Sequence, residues 1–288
     1  SWIRTVKVTL SGVFLCAADP GVYEDELGSW LDDMQISFAF VSALEIKRSL
    51  GIRRGKNDAV DALRIAEYAY IRRESISLSH KPSDVIFQLR ALLGERKQYV
   101  RMRAALLARK DALHQYESKE SIYRREEIID KYAEYIASVD KQMRGLMEHD
   151  DEIKRNYELI SSVKGIGLVN AINTLVYTNN FTSFQTPRQY ACYCGIAPFE
   201  HTSGTSIKGR TAVSKMGNHQ LKCELTMAAR SAIIHDPWMK QYYKRKMMSK
   251  GNAPGAHGIV LNAIKFKLIV RMFSVVKSGI PYKVMAYC

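Results

Sequence analysis

Over the first eighty residues, apolar and polar positions change in short blocks. Val13 to Ala18 is an unbroken apolar stretch of strand length, closed by a turn signal at Asp19-Pro20-Gly21. Glu24 to Asp33 spaces its apolar residues as a short amphipathic helix. Ile36 to Val41 alternates and is rich in β-formers, which predicts a second strand. Ala43 to Leu50 and Asn57 to Arg73 read as helices. Strand, helix, strand, helix in that order predicts an α/β domain with parallel strand pairing.

From about Ser83 to Asp151 the pattern changes. Apolar residues recur at three- and four-residue spacing, among them Ile86, Leu89, Leu92, Leu93, Val100, Leu106, Leu107 and Leu113, amid many Arg, Lys and Glu. This predicts a long helical pair, a description that fits a coiled-coil arm and a plain helical bundle equally. From Tyr157 to Cys288 the chain is helical again, punctuated by Gly and Pro loops. The expected organisation is therefore an N-terminal α/β part (1–80), a helical arm (81–156) and a mainly helical C-terminal part (157–288).

With 288 residues, 47% hydrophobic and 25% charged, the chain is globular and long enough for about two domains. Charge changes the picture more. The formal net charge is +14, and residues 200–288 alone hold 15 Lys or Arg against 3 Asp or Glu, a net of +12. One-sided bias of this kind points to a polyanionic partner. The most apolar late stretch, Ile259 to Val276, is broken by Lys265, Lys267 and Arg271, so no membrane span is expected. No signal peptide is visible, and the first residue is Ser1, which reads as a fragment or a processed product. Five scattered cysteines imply free thiols in a reducing, cytoplasmic setting. Cys192 and Cys194 lack the second ligand pair of a zinc site and read as structural thiols.

Four stretches could carry chemistry. In Lys56 to Ala62 (KNDAVDA), Asp58 and Asp61 stand at i and i+3 on one helix face, where two carboxylates can hold Mg²⁺ against phosphate oxygens. Acids at a helix start also serve as caps. In Leu159 to Ala171 (LISSVKGIGLVNA), Lys164, Gly165 and Gly167 sit between two helices. A helix-hairpin-helix would bind a DNA phosphate there through backbone N–H groups; a packing joint has the same signature. In Gly195 to Ser206 and the residues after it, hydroxyls flank Gly204, and Lys208, Arg210, Lys215 and Asn218 follow. A serine in a mobile loop among cations could attack a phosphodiester, with His201 orienting or protonating, or the hydroxyls could only hydrogen-bond phosphate. In Asp236 to Lys250, aromatics interleave with Lys244, Arg245 and Lys246, which suits nucleic-acid contact, although the aromatics fit a core equally.

The order of these pieces, from KNDAVDA through the arm, GIG, GIAP…TSG…SKMGN and DP…Y, resembles the one-ten family of bacterial insertion-sequence transposases, related to the pilin-gene DNA invertases. The likeness runs from about Val13 to Val276. It implies a RuvC-like (RNase H-like) N-terminal domain with a DEDD metal tetrad, a coiled-coil arm, and a helical transposase domain with a catalytic serine. It also implies recombination through a serine–DNA phosphodiester, guidance by a structured bridge RNA, and action as a homo-oligomer. Carried over, the last two tetrad acids fall on Asp58 and Asp61 with Mg²⁺, and the serine on Ser203, with Ser206 as runner-up.

Two departures bear on activity. The family's E-x-T-G-x-Y pattern corresponds to Ala18-Asp19-Pro20-Gly21-Val22-Tyr23, which keeps Gly21 and Tyr23 but has Ala18 at the acid position. Asp19 is one residue off, which on a strand points to the opposite face. With 17 residues before Ala18, the strand bearing the first acid is expected to be missing. The expectation is a DNA transposase or site-specific recombinase impaired in catalysis, the rival being a non-catalytic DNA- or RNA-binding remnant. A purely structural scaffold leaves the +12 segment unexplained.

Overall fold

The computed structural model describes residues 15–18, 24–49, 57–113 except 77 and 80, 117–199, 202–203, 207–208, 212–213, 216–251 and 253–284. The chain folds as two compact units, residues 1–82 and 83–288.

In the first unit, β1 (Leu15–Ala18) and β2 (Phe38–Val41) pair in parallel, Leu15 opposite Phe38 and Ala18 opposite Val41. Parallel neighbours need a crossover, and α1 (Glu24–Asp33) lies between them in the chain, as the periodicity predicts. The second strand starts two residues later than expected. Gln35 turns in the left-handed region and the Ile36 N–H returns to the Leu31 carbonyl, so Ile36 closes α1 instead of pairing. Two further helices follow, α2 (Ala43–Ser49) and α3 (Asp58–Arg72), and α3 packs on β1. The core here is small: Leu31, Phe38, Ala39, Ile46 and Tyr68 are buried. The Tyr68 hydroxyl donates to Glu45 at 2.7 Å, tying α3 to α2. Val13, Phe14 and the Asp19-Pro20-Gly21 turn lie outside the described residues.

The second unit begins with the predicted long pair, α4 (Asp84–Leu113) and α5 (Lys119–Met147), which pack along each other. Arg96 bonds Asp140 at 2.6 Å across them, and Tyr99 meets Tyr132 and Tyr135. Their base is rooted in the unit's core through Ile86, Leu89, Val139, Met143 and Met147. Further along, Val100, Met102, Leu107, Tyr123 and Ile128 are exposed.

The core itself comes from α6 (Asp151–Ser161), α7 (Leu168–Tyr177), α8 (Pro187–Tyr193), α9 (His219–His235), α10 (Pro237–Ser249) and α11 (Ala256–Ser278). Each start is written locally. Asp150, Asn218 and Asp236 cap α6, α9 and α10, and Thr186 with Gln189 forms a capping box on α8. The central helix α11 buries Val260, Leu261, Ile264, Leu268, Ile269, Met272 and Val275. No helix among the described residues is long and apolar enough to cross a membrane.

Candidate functional site

The two acids singled out in sequence sit in the first turn of α3, whose N-cap Asn57 accepts from the Val60 N–H at 2.8 Å. Asp61 is half exposed and pairs with Arg64 at 3.3 Å within the same helix. Ala18 ends β1, the strand on which α3 packs. Asp58 and Asp61 are hard oxygen donors suited to a divalent cation. Among the described residues, however, no group of three metal-ligating side chains forms. Asp19 and the residues before Leu15 lie outside the described residues.

Within the serine-bearing stretch, Ser203 itself lies in a short strand. β3 (Pro198–Phe199) pairs antiparallel with β6 (Ala212–Val213), and β4 (Thr202–Ser203) with β5 (Ile207–Lys208). The two pairs are nested in sequence in the order of a two-stranded ribbon, with Ser203 opposite Ile207 and Thr202 opposite Lys208. Backbone pairing satisfies the N–H and C=O groups that a loop would leave to water. Gly204, Ser206, His201, Arg210 and Lys215 lie outside the described residues.

The ribbon's base is clamped to the core. The Asn218 N–H donates to the Tyr193 carbonyl at 2.8 Å, and the Asn262 amide to the Ile196 carbonyl at 2.6 Å. Gly217 lies so close to Gly195 that a Cβ on it would overlap the Gly195 backbone. Cys194, Ile196 and Ala197 are fully buried beneath, and burial pushes the Cys194 thiol up to about 12, so it stays protonated packing material. Cys192 beside it is half-buried and Cys223 exposed; both are free thiols. Asn218, expected at phosphate, spends its side-chain oxygen capping α9 through the Leu221 N–H at 3.1 Å.

The turn between α6 and α7 divides its labour. Gly165 adopts φ +97°, and a Cβ there would sit 2.6 Å from the Ala228 carbonyl oxygen and 2.7 Å from the Ala232 Cβ. That glycine therefore serves a packing joint with α9. Gly167 is the N-cap of α7 with no side-chain cap, and Lys164 beside the turn is exposed. On α10, Lys244, Arg245 and Lys246 are exposed, whereas Trp238, Tyr242 and Tyr243 pack against the core. The aromatics are thus wall residues and not free stacking platforms.

Sequence reasoning missed a set of buried polar groups within the helical unit. Lys265 of α11 is buried yet has no ion-pair partner among the described residues; burial, Lys222 and Arg230 hold its ammonium below the usual lysine range. Glu224 of α9 accepts from Asn173 and, at 3.1 Å, from Gln220, while Lys97 of α4 donates to Gln220 at 2.5 Å. Burial raises the Glu224 carboxyl. The signal for Lys265 was present: a cation interrupting the apolar run of α11.

A basic helical unit with a serine on a clamped ribbon and an α/β unit with paired acids are the parts of a DNA-recombining protein, and the comparisons point to the same class. Residues 7–116 match the DEDD transposase domain of IS110 elements, described as Transposase. Residues 157–244 match the Transposase IS116/IS110/IS902 family. The pilin gene-inverting protein of Moraxella bovis is 27% identical over 284 residues, covering 98% of this chain and 85% of that protein, and its Moraxella lacunata counterpart is the same in both respects. An insertion element IS110 uncharacterized 43.6 kDa protein of Streptomyces coelicolor is 29% identical over 159 residues, 54% of this chain and 38% of that protein. The chain belongs to the IS110 family and is a DNA transposase. Membership implies DNA binding and, through the DEDD domain, use of a divalent metal.

Proposed function

We propose that this transposase cuts and rejoins DNA through a serine–DNA intermediate, with Ser203 as nucleophile and Ser206 as the alternative. The observation that carries the reading is the ribbon: Ser203 lies near its outer end, while its base is fixed to the core at Tyr193, Ile196 and Gly195. A fixed base limits the positions the nucleophile samples. In the proposed step the Ser203 Oγ bonds to phosphorus and loses its proton, the bond to one deoxyribose oxygen breaks, and that oxygen leaves as a hydroxyl. Attack by a second strand's hydroxyl reverses the step, so the phosphodiester is conserved throughout. Lys208, opposite Thr202 on the neighbouring strand, with Arg210 and Lys215 would stabilise the crowded phosphate.

Around this centre, DNA lies on the basic C-terminal face. Lys164 and the uncapped first N–H groups of α7 behind Gly165 and Gly167 hold a backbone phosphate as a helix-hairpin-helix. Lys244, Arg245 and Lys246 hold others, and the free amide of Asn218 adds a hydrogen bond. A structured guide RNA occupies the RuvC-like N-terminal unit and the arm. The α4–α5 pair acts as a coiled-coil arm joining copies into a homo-oligomer, and its exposed Val100, Met102 and Leu107 favour this. Asp58 and Asp61 are Mg²⁺ ligands. The free thiols fit a reducing cytoplasm.

The chain's catalysis is impaired because Ala18 replaces an acid at the end of β1. The rival, a non-catalytic DNA- or RNA-binding remnant, rests on the same Ala18. A plasmid recombination assay separates them. Ala18→Glu, supplied with Mg²⁺, element-end DNA and flanking transcript, is expected to join the DNA. Ser203→Ala in that background should abolish joining. Failure of the first would sink the acid assignment, and joining that survives the second would move the nucleophile to Ser206 or elsewhere.

A further inference from the structure

Trp238 and Tyr242 stand one turn apart on α10 and their rings stack, with centroids 5.4 Å apart and planes 7° apart. Four cations gather on this pair from two helices. Lys267 of α11 places its ammonium 4.9 Å from the Trp238 centroid and 4.7 Å from that of Tyr242. Arg245 and Lys246 approach the same Tyr242 ring at 5.8 and 5.9 Å, and Arg271 lies 4.9 Å over Trp238.

Of the four, Arg271 alone is neutralised by a carboxylate among the described residues. Its guanidinium donates to Asp236 at 2.6 Å. Asp236 is fully buried and has little left to give: one oxygen accepts from the Trp238 and Met239 N–H groups, the other also from the Tyr282 hydroxyl at 3.1 Å. Among the described residues no carboxylate bonds Lys267, Arg245 or Lys246. Burial and the neighbouring Arg271, Arg245 and Lys246 hold the Lys267 ammonium below the usual lysine range.

An aromatic face attracts a cation, and one cation would satisfy a purely structural contact. Three uncompensated cations converging on one ring repel one another, and that arrangement becomes favourable when an anion joins them. The wall also holds the long Lys267 stem against two rings, so its charge is positioned before a ligand arrives.

We propose that Lys267, Arg245 and Lys246, seated on the Trp238–Tyr242 wall, form a clamp for adjacent backbone phosphates of duplex DNA. The assignment rests on reading the chain as a DNA transposase and adds Lys267 and the wall to its DNA surface. Phosphate contacts of this type fix the position of the duplex and carry no sequence information.

Fluorescence anisotropy of the full chain with a labelled DNA duplex over a potassium chloride series tests it, with a duplex RNA as the second probe. Lys267→Met keeps the apolar stem on the rings and removes the charge. It should weaken DNA binding about 5- to 10-fold and lower the log–log salt slope by about one. Lys267→Arg should restore both. Arg245→Gln with Lys246→Gln, at exposed positions, should lower the slope by about two even where Lys267→Met folds poorly. Unchanged slopes for these variants, in a chain that binds DNA, would overturn the clamp and leave the transposase reading standing. Slopes that fall for RNA and not for DNA would overturn it as a DNA site. A parent chain with no salt-dependent DNA binding would bring down the DNA reading itself.

Discussion

Each unit holds an aspartate at a helix start paired with an arginine, and these two pairs are used in opposite ways. In the N-terminal unit, Asp61 meets Arg64 at 3.3 Å on the first turn of α3, with nearly half of the aspartate side chain in water. In the C-terminal unit, Asp236 meets Arg271 at 2.6 Å with no exposure at all, while capping α10 and accepting from Tyr282. The first arrangement leaves an acid reachable by a ligand. The second consumes its acid to fix a scaffold, and so leaves the surrounding cations without partners. The excess of positive charge belongs to the C-terminal unit: residues 1–82 hold 11 Lys or Arg against 11 Asp or Glu, so the whole net of +14 falls on residues 83–288.

Removing the two acids should separate the units most sharply. Asp236→Ala strips α10 of its cap and leaves Arg271 without its partner, at a cost of roughly 3–5 kcal/mol in urea unfolding. Asp61→Ala should cost under about 1 kcal/mol, because exposed pairs are screened and loosely held. Similar values for both would break the comparison. Next in size is Gly165→Ala. At φ +97° and with Ala228 and Ala232 in its way, the added methyl should cost about 2 kcal/mol or more, read as a lower urea midpoint of the C-terminal unit. Asn57→Ala removes the N-cap of α3 and should cost about 1 kcal/mol, seen as faster amide exchange in the turn that bears Asp58 and Asp61.

The smallest effect concerns pH. Burial raises the folded-state pKa of Glu224, so the folded state favours its protonated form. Stability from this group is therefore full below the ordinary glutamate pKa and is lost as pH rises through the raised value. A Glu224→Gln chain should lack this component, so its melting temperature relative to the parent should rise across that window. Parallel melting curves at all pH values would rule it out.

Much of the fold is legible locally. Glu24–Asp33 has the bounds its periodicity predicts, and Asn57 caps a helix that starts at Asp58, because caps and apolar spacing act within one turn. The long α4–α5 pair follows from the same spacing. The ribbon around Ser203 is not legible. Its strands are two residues long, and their register is set by pairings such as Phe199 with Ala212, which no local signal specifies. Asp236 looks in sequence like any cap before Pro237; its burial depends on Arg271, 35 residues away. Lys267 shows only as a charge in an apolar run, since the rings it covers belong to another helix.

The most direct measurement asks whether Ser203 forms a covalent bond to DNA in a chain with Ala18 at the end of β1. The purified chain would be incubated with Mg²⁺, its element's end DNA and the flanking transcript, then run on a denaturing gel to reveal a covalent protein–DNA adduct. The account predicts DNA bound in a shift assay and no adduct above that of Ser203→Ala. A clear adduct that disappears in Ser203→Ala would confirm the nucleophile and contradict the claim that Ala18 impairs it.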